Sequence, residues 1–277
     1  MIINCAGTLL NLKVPKVMGI VNLTPDSFHD GGKLCSEYCI LQHIDTLLNE
    51  GSDFIDVGGC STRPGSKLIT EKEEIKRVIK PIRSIVKNFP NVKISIDTFR
   101  SEVARIAVEE GAVMINDISG GNLDKNMFPL LGKLKIPYIL NHMKGIPENM
   151  QKNPFYHENI IIEINNFFSK KIYYLKKYGI LDIIIDPGFG FGKTLEQNFQ
   201  LLKHLSLLGF KDYPILVGIS RKSMTKFILK ISDEESLNAT SIIHTISLLN
   251  GSKFLRVHDV KEAVECIKLV EYYKKIF

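Results

Sequence analysis

The sequence predicts an α/β fold, a TIM (β/α)8 barrel forming a single domain over residues 1–277, and three observations carry that reading. Short apolar runs rich in β-branched residues recur from end to end. Helical patterns fill the intervals between them, and no linker, low-complexity tract or internal repeat divides the chain. The runs are mostly continuous rather than alternating, the pattern of strands buried on both faces of a parallel sheet.

Taken in order, the first run starts near Val17 and leads through a long polar loop to a helical stretch from Ser36 to Glu50, stopped by Gly51. The second starts near Phe54. After its loop, Thr70-x-x-Glu73 reads as a capping box opening a helix that Pro81 should break or kink. The third starts near Val92 and is followed by a helix from Ser101 to Glu110, with Val103, Ile106 and Ala107 on one stripe and Gly111 behind it. Further runs start near Val113, Pro137 and Asp182. Thr194 to Leu208 then places Leu195, Phe199, Leu202 and Leu205 on one helical face before Gly209. Runs near Pro214 and Lys253 complete eight, and a chain of 277 residues suits eight such units. A doubly wound open sheet, the main rival, carries a glycine-rich turn after its first strand. Here that turn reads Asn-Leu-Thr-Pro-Asp-Ser-Phe and lacks the fingerprint.

Hydrophobic residues at 44% and charged residues at 24% are ordinary for a globular protein with a sizeable core. The formal charge of +6 suits anionic ligands, but the lysines are spread along the chain with no basic run, so no nucleic-acid partner is expected. Five cysteines without a C-x-x-C pair argue against a disulfide framework or a structural zinc site. The opening residues do not read as a signal peptide, and no apolar run has the length of a membrane span. The expectation is a cytoplasmic protein with no membrane partner.

What closes each strand is the strongest chemical signal. The ends read Asn22, Asp56, Asp97, Asn116, Asn141 with His142, Asp186, Ser220 to Lys222, and Arg256 with His258. In a barrel these positions share the rim where active sites are built. Helix capping alone needs no such mixture of carboxylates, amides and cations. Asp97, Asn116 and Asp186 together suit a flat heterocycle with several N–H groups and ring acceptors. Lys222, Arg256 and His258 supply cationic donors suited to an anion such as a phosphate.

Two long loops leave the rim after the first and second strands, rich in Gly, Pro, Ser and Asp and carrying Asp26, Asp30 and Arg63. That composition serves a loop that closes over substrate and a merely solvated one equally well. The stretch Asp186 to Thr194, DPGFGFGKT, looks at first like a nucleotide-binding loop. A Walker loop, however, would need glycine where Pro187 stands, and Gly188, Gly190 and Gly192 alternate too strictly for a dinucleotide fingerprint. What remains is a sharp strand-to-helix turn in which the backbone approaches a ligand and Phe189 or Phe191 can pack on a ring.

The segments MGIVNLTPDSFHDGG, DVGGCSTRPGS, SIDT, INDISGG, HMKGIPENMQ, DPGFGFGKT, GISRKSM and RVHDV occur in the order and spacing of the dihydropteroate synthases, and the resemblance runs from about Val17 to Val260. It implies a pterin-binding TIM barrel that joins 4-aminobenzoate to a pterin pyrophosphate in folate synthesis. Asp97, Asn116, Asp186 and Lys222 would hold the pterin, Met143 and Phe191 would line its pocket and Arg256 would stack on it. Asn22, Arg256 and His258 would take the pyrophosphate, with Asn22 also serving Mg2+. Phe28, Thr62, Arg63 and Pro64 in the two loops, with Ser223 at a helix start, would bind 4-aminobenzoate, and Asp30 with Arg63 would order the loops. The resemblance further implies competition by sulfonamides and a homodimer.

Two departures from the family pattern lie beside the matched positions, Cys60 for a common acidic residue and His29 for a small one. A methyltetrahydrofolate methyltransferase-like barrel would share the pterin carboxylates but has no use for STRPG, SRKS or RVHDV. A non-catalytic pterin-binding paralog is the remaining alternative, and every matched catalytic position is intact.

Overall fold

The computed structural model describes residues 1–24, 37–61, 65–66, 68–232 and 234–276, the side chain of Phe210 excepted. A hairpin opens the chain: β1 (Ile2–Cys5) pairs antiparallel with β2 (Thr8–Asn11). Its two-residue turn, Ala6-Gly7, has φ of 48° and 90°. That is the doubly left-handed geometry whose twist matches a hairpin, and Gly7 meets it at no steric cost.

Eight parallel strands follow: β3 (Lys16–Asn22), β4 (Phe54–Gly58), β5 (Ile94–Asp97), β6 (Ala112–Asp117), β7 (Tyr138–Asn141), β8 (Ile183–Asp186), β9 (Leu216–Val217) and β10 (Phe254–Val257). Hydrogen bonding runs in the order β8-β7-β6-β5-β4-β3-β10-β9, and a parallel bridge between Ile185 and Ile215 joins the two ends into a barrel. Between the strands lie α1 (Glu37–Asn49), α2 (Glu71–Asn88), α3 (Ser101–Glu109), α4 (Met127–Leu134), α5 (Ile160–Lys177) and α6 (Leu195–Lys203). The interval from β9 to β10 holds α7 (Ser223–Leu229) and α8 (Leu237–Leu249), and α9 (Val260–Tyr273) follows the last strand. The eight expected strands are all present, each close to its expected start.

Alternate strand residues divide between two cores. Ile55, Val57, Ile115, Ile183, Ile185 and Leu255 pack outward against the helices. Met18, Phe54, Met114, Ile139, Ile184 and Phe254 face the barrel axis at its N-terminal end, where Ile3, Cys5 and Leu12 of the hairpin segment plug it.

Two helix expectations are corrected. Pro81 does not break α2, which continues from Glu71 to Asn88. Proline deletes one hydrogen bond, but Val78, Ile82 and Ile85 on either side are fully buried against the barrel, and that packing outweighs the lost bond. The capping box at Thr70 is only half made. Thr70 Oγ1 accepts from Glu73 N, while the Glu73 carboxylate turns to Arg77 Nε at 2.9 Å. The complete box lies elsewhere, with Thr194 and Gln197 reciprocally bonded at the start of α6.

Candidate active site

The strands deliver their polar residues by parity. On four strands a polar side chain comes two residues beyond an axis-facing apolar one: Asp56 after Phe54, Asn116 after Met114, Asp186 after Ile184 and Arg256 after Phe254. The interior therefore changes from hydrocarbon to charge within one strand repeat.

Arg256 stands at the centre of this layer. Its Nε donates to Asp56 Oδ2 at 2.6 Å and its Nη2 to Asp97 Oδ2 at 2.6 Å. Asn116 Nδ2 donates to the same Asp56 oxygen at 3.0 Å, and Asp56 itself is fully buried. Burial raises the Asp97 carboxyl to about 7: Asp56, Glu74 and Asp117 add to the rise, and Arg256 opposes it. Although burial works against its charge, Arg256 holds its proton more tightly than a free guanidinium because Asp56, Asp97 and Asp186 surround it.

Asp186 ends β8, and its Oδ1 accepts from Gly188 N at 2.7 Å. Burial raises its proton affinity, and Lys222 is the first of the charges pulling it back. Lys222, just ahead of α7, points its ammonium at the carbonyl of Phe189 and over the Phe191 ring, 4.2 Å from the centroid. Burial lowers its pKa to about 8 despite the attraction of Asp186. The rim thus pairs carboxylates that protonate easily with an ammonium that gives up its proton easily, an arrangement typical of sites that do chemistry.

An apolar cluster adjoins these charges: Met143 and Phe191 meet Phe99, Ile118 and Met150. His258 lies just past β10, its Nδ1 3.0 Å from Ser220 Oγ. Asn22 ends β3, half-buried, and Ser223 is the exposed first residue of α7. Asp97, Asn116, Met143, Asp186, Phe191, Lys222 and Arg256, expected to hold one pterin, are therefore gathered at one mouth. Phe28, Asp30, Thr62, Arg63, Pro64 and His29 lie outside the described residues. Burial raises the pKa of the Cys60 thiol, which keeps it protonated and a poor nucleophile.

Sequence reasoning gave no role to two residues that the structure places in this machinery. Asp56 was legible only as one polar strand end among several, yet it is the hub that binds both Arg256 and Asn116. Lys193, the lysine of the apparent nucleotide loop, is 3% exposed, so it faces no ligand phosphate. Its ammonium donates to the carbonyls of Gly188 (2.8 Å), Phe191 (3.1 Å) and His142 (3.3 Å) and lies 3.1 Å from His142 Nδ1. It is an internal clasp that ties the glycine turn to the end of β7. Gly188 is forced by the same crowding: with φ of 68°, a Cβ there would sit 2.0 Å from the His142 carbonyl oxygen.

The family described as pterin binding enzyme matches residues 18–258. The dihydropteroate synthase of Escherichia coli is 40% identical over 96% of this chain and 94% of its own length. Among solved structures, Yersinia pestis dihydropteroate synthase in a sulfonamide drug complex superposes with a TM-score of 0.93 at 39% identity, covering all of both chains. The Xanthomonas albilineans enzyme in complex with 7,8-dihydropteroate superposes at 0.89 with 34% identity, again over all of both chains. Identity sustained across nearly the whole length, on a barrel with these side chains at its rim, makes this chain a member of the dihydropteroate synthase family of pterin-binding enzymes.

Proposed function

We propose that this chain condenses 6-hydroxymethyl-7,8-dihydropterin pyrophosphate with 4-aminobenzoate, yielding 7,8-dihydropteroate and pyrophosphate. One observation carries the reading: Asp97, Asn116, Asp186, Lys222 and Arg256 surround a single mouth beside an apolar wall. Carboxylate and amide acceptors suit the N–H edge of a pterin, the ammonium suits its ring acceptors, and Met143 with Phe191 suits its flat face.

The reaction is a substitution at the pterin methylene. The carbon–oxygen bond to pyrophosphate breaks with its electron pair, a carbon–nitrogen bond forms to the neutral arylamine, and the amine proton leaves to solvent. Asp97 and the ring contacts stabilise positive charge developing on the pterin. On substrate binding, Arg256 turns its positive face toward the ring, and with His258 and Asn22 receives the departing pyrophosphate. Ser223 receives the carboxylate of 4-aminobenzoate, Phe28, Thr62, Arg63 and Pro64 form the rest of its pocket, and Asp30 and Arg63 order the loops.

Among the described residues no cluster of three or more His, Cys, Asp or Glu could cage a metal. Mg2+ fits this site all the same. It takes few protein oxygens when phosphate supplies the rest, and the amide oxygen of Asn22 at the end of β3 is a ligand of the right hardness. When bound, Mg2+ would neutralise charge on the leaving pyrophosphate.

Sulfonamides, as mimics of 4-aminobenzoate, would compete for its place. We also infer a homodimer: Ile242, Ile246 and Leu249 form an exposed stripe on α8, and α7 exposes Phe227, Ile228 and Leu229. Cys5, Cys60 and Cys266 are free thiols, which supports a reducing, cytoplasmic location. No helix of the described residues is long and apolar enough to cross a membrane.

The test is product formation. Purified protein with both substrates and magnesium should yield 7,8-dihydropteroate by mass spectrometry, and a sulfonamide should raise the KM for 4-aminobenzoate without lowering kcat. Binding of the pterin without product would contradict the enzymatic reading and leave a pterin-binding paralog.

A further inference from the structure

Behind the mouth, on the far side of Asp97, lies a buried ion pair to which nothing above gives a role. Glu74, in the first turn of α2, is fully buried. Its Oε1 accepts from Thr98 Oγ1 at 2.6 Å, and its Oε2 accepts from Arg100 Nη1. Those partners directly follow the strand that ends on Asp97. The other arm of the Arg100 guanidinium donates to the carbonyl of Ile69, and its carbon lies 4.8 Å above the ring of Phe99. Phe99 in turn packs in the apolar cluster with Met143 and Leu68.

Both stems of the second rim loop converge on this pair. On the incoming side, Gly59 sits so close that a Cβ there would lie 3.4 Å from Glu74 Cγ, and its carbonyl accepts from Arg77 Nη1 at 3.3 Å. On the outgoing side, Ile69 is held by Arg100, and Ser66 Oγ reaches across to the carbonyl of Ser61 at 2.8 Å. The segment between these stems carries Thr62, Arg63 and Pro64 in the sequence. A buried ion pair is a poor source of stability, since apolar residues of similar volume do as well or better. What the pair supplies is direction: a two-oxygen acceptor and a forked donor fix three chain segments relative to one another.

We propose that Glu74, with Arg100 and Thr98 as its partners, is a positioning residue for the condensation: it fixes both stems of the second rim loop against the strand end that carries Asp97, and so sets where 4-aminobenzoate lies relative to the pterin. The proposal rests on the functional reading above. Three variants test it: Glu74→Gln, Arg100→Lys, and the double variant Glu74→Met with Arg100→Met, which keeps the buried volume while abolishing the ion pair. Arg83→Ala, which removes a surface ion pair to Glu110, is the control.

The expected result is a KM for 4-aminobenzoate raised about tenfold in all three variants, because small misplacements of a reactant are costly. The KM for the pterin pyrophosphate and the unfolding midpoint of the double variant should stay with the control. A merely structural pair predicts the reverse, with the volume-conserving double variant restored to wild-type KM values. That restoration, or equal loss of affinity for both substrates, overturns the proposal. A wild-type protein that forms no dihydropteroate would fail the functional reading itself, which is a different result from an active wild type with unaltered variants.

Discussion

At the N-terminal end of the barrel, Phe54, Met114, Ile184 and Phe254 interdigitate beneath the hairpin with no polar atom among their side chains. Two residues further along the same strands, Asp56, Asn116, Asp186 and Arg256 occupy the same interior. Both layers are withdrawn from water, but the first gains free energy from burial and the second loses it. The rim stays folded because its charges compensate one another and because the floor holds the strands in place. The raised proton affinities of Asp97 and Asp186 and the lowered one of Lys222 all have burial as their first cause. A floor for stability and a strained rim for chemistry is the division of labour this contrast teaches.

The sharpest way to break that division is Arg256→Met. It leaves Asp56 and Asp97 buried without their cation, so the account expects a loss of about 3–5 kcal/mol in denaturant unfolding at neutral pH. Product formation should fall roughly 10³-fold in the same variant. Unchanged stability would mean that the rim charges do not rely on mutual pairing. Next in size, Phe54→Ala opens a cavity in the floor and should cost about 3–5 kcal/mol with no loss of turnover per folded molecule. Reduced turnover in the folded fraction would show that floor and rim are coupled.

A third test uses pH. Asp97 accepts from the pterin as a carboxylate, and its pKa in the free protein is raised to about 7. The kcat/KM for the pterin substrate should therefore rise as pH passes upward through that value, since this ratio reports the free enzyme. The folded state keeps this proton over a range where the unfolded chain has lost it. Its contribution to stability accordingly falls as pH rises from the ordinary carboxylate range to about 7. A flat profile in Asp97→Asn and a sloping one in wild type would assign the limb to this residue. The smallest effect belongs to Tyr138→Phe, which removes a 2.7 Å bond to Asp117. Asp117 keeps Ser119 N, Ser119 Oγ and Gly121 N as donors, so a loss of about 1 kcal/mol with unchanged activity is expected from calorimetry.

The barrel was legible because its strands are short, apolar and regularly spaced, and the rim because each strand changes from apolar to polar at its end. The hairpin escaped notice because Ile2 and Leu9 are apolar yet exposed, so beside Ile3 and Leu10 no apolar–polar alternation marks a buried face. Pro81 misled because a local rule was applied where tertiary packing decides. Asp56 becomes legible once parity is counted from Phe54, which assigns it to the interior and not to a cap. Lys193 could not be read: a buried lysine satisfied by carbonyls looks in sequence like any lysine after a glycine turn.

The most direct test of the central claim is pyrophosphate release with and without 4-aminobenzoate, in wild type, Asp97→Ala and Lys222→Ala, with unfolding midpoints taken on the same samples. The account predicts release that rises with 4-aminobenzoate in wild type and collapses in both variants, while all three proteins unfold cooperatively. Release that persists in either variant, or a wild type that binds the pterin and releases nothing, would contradict it.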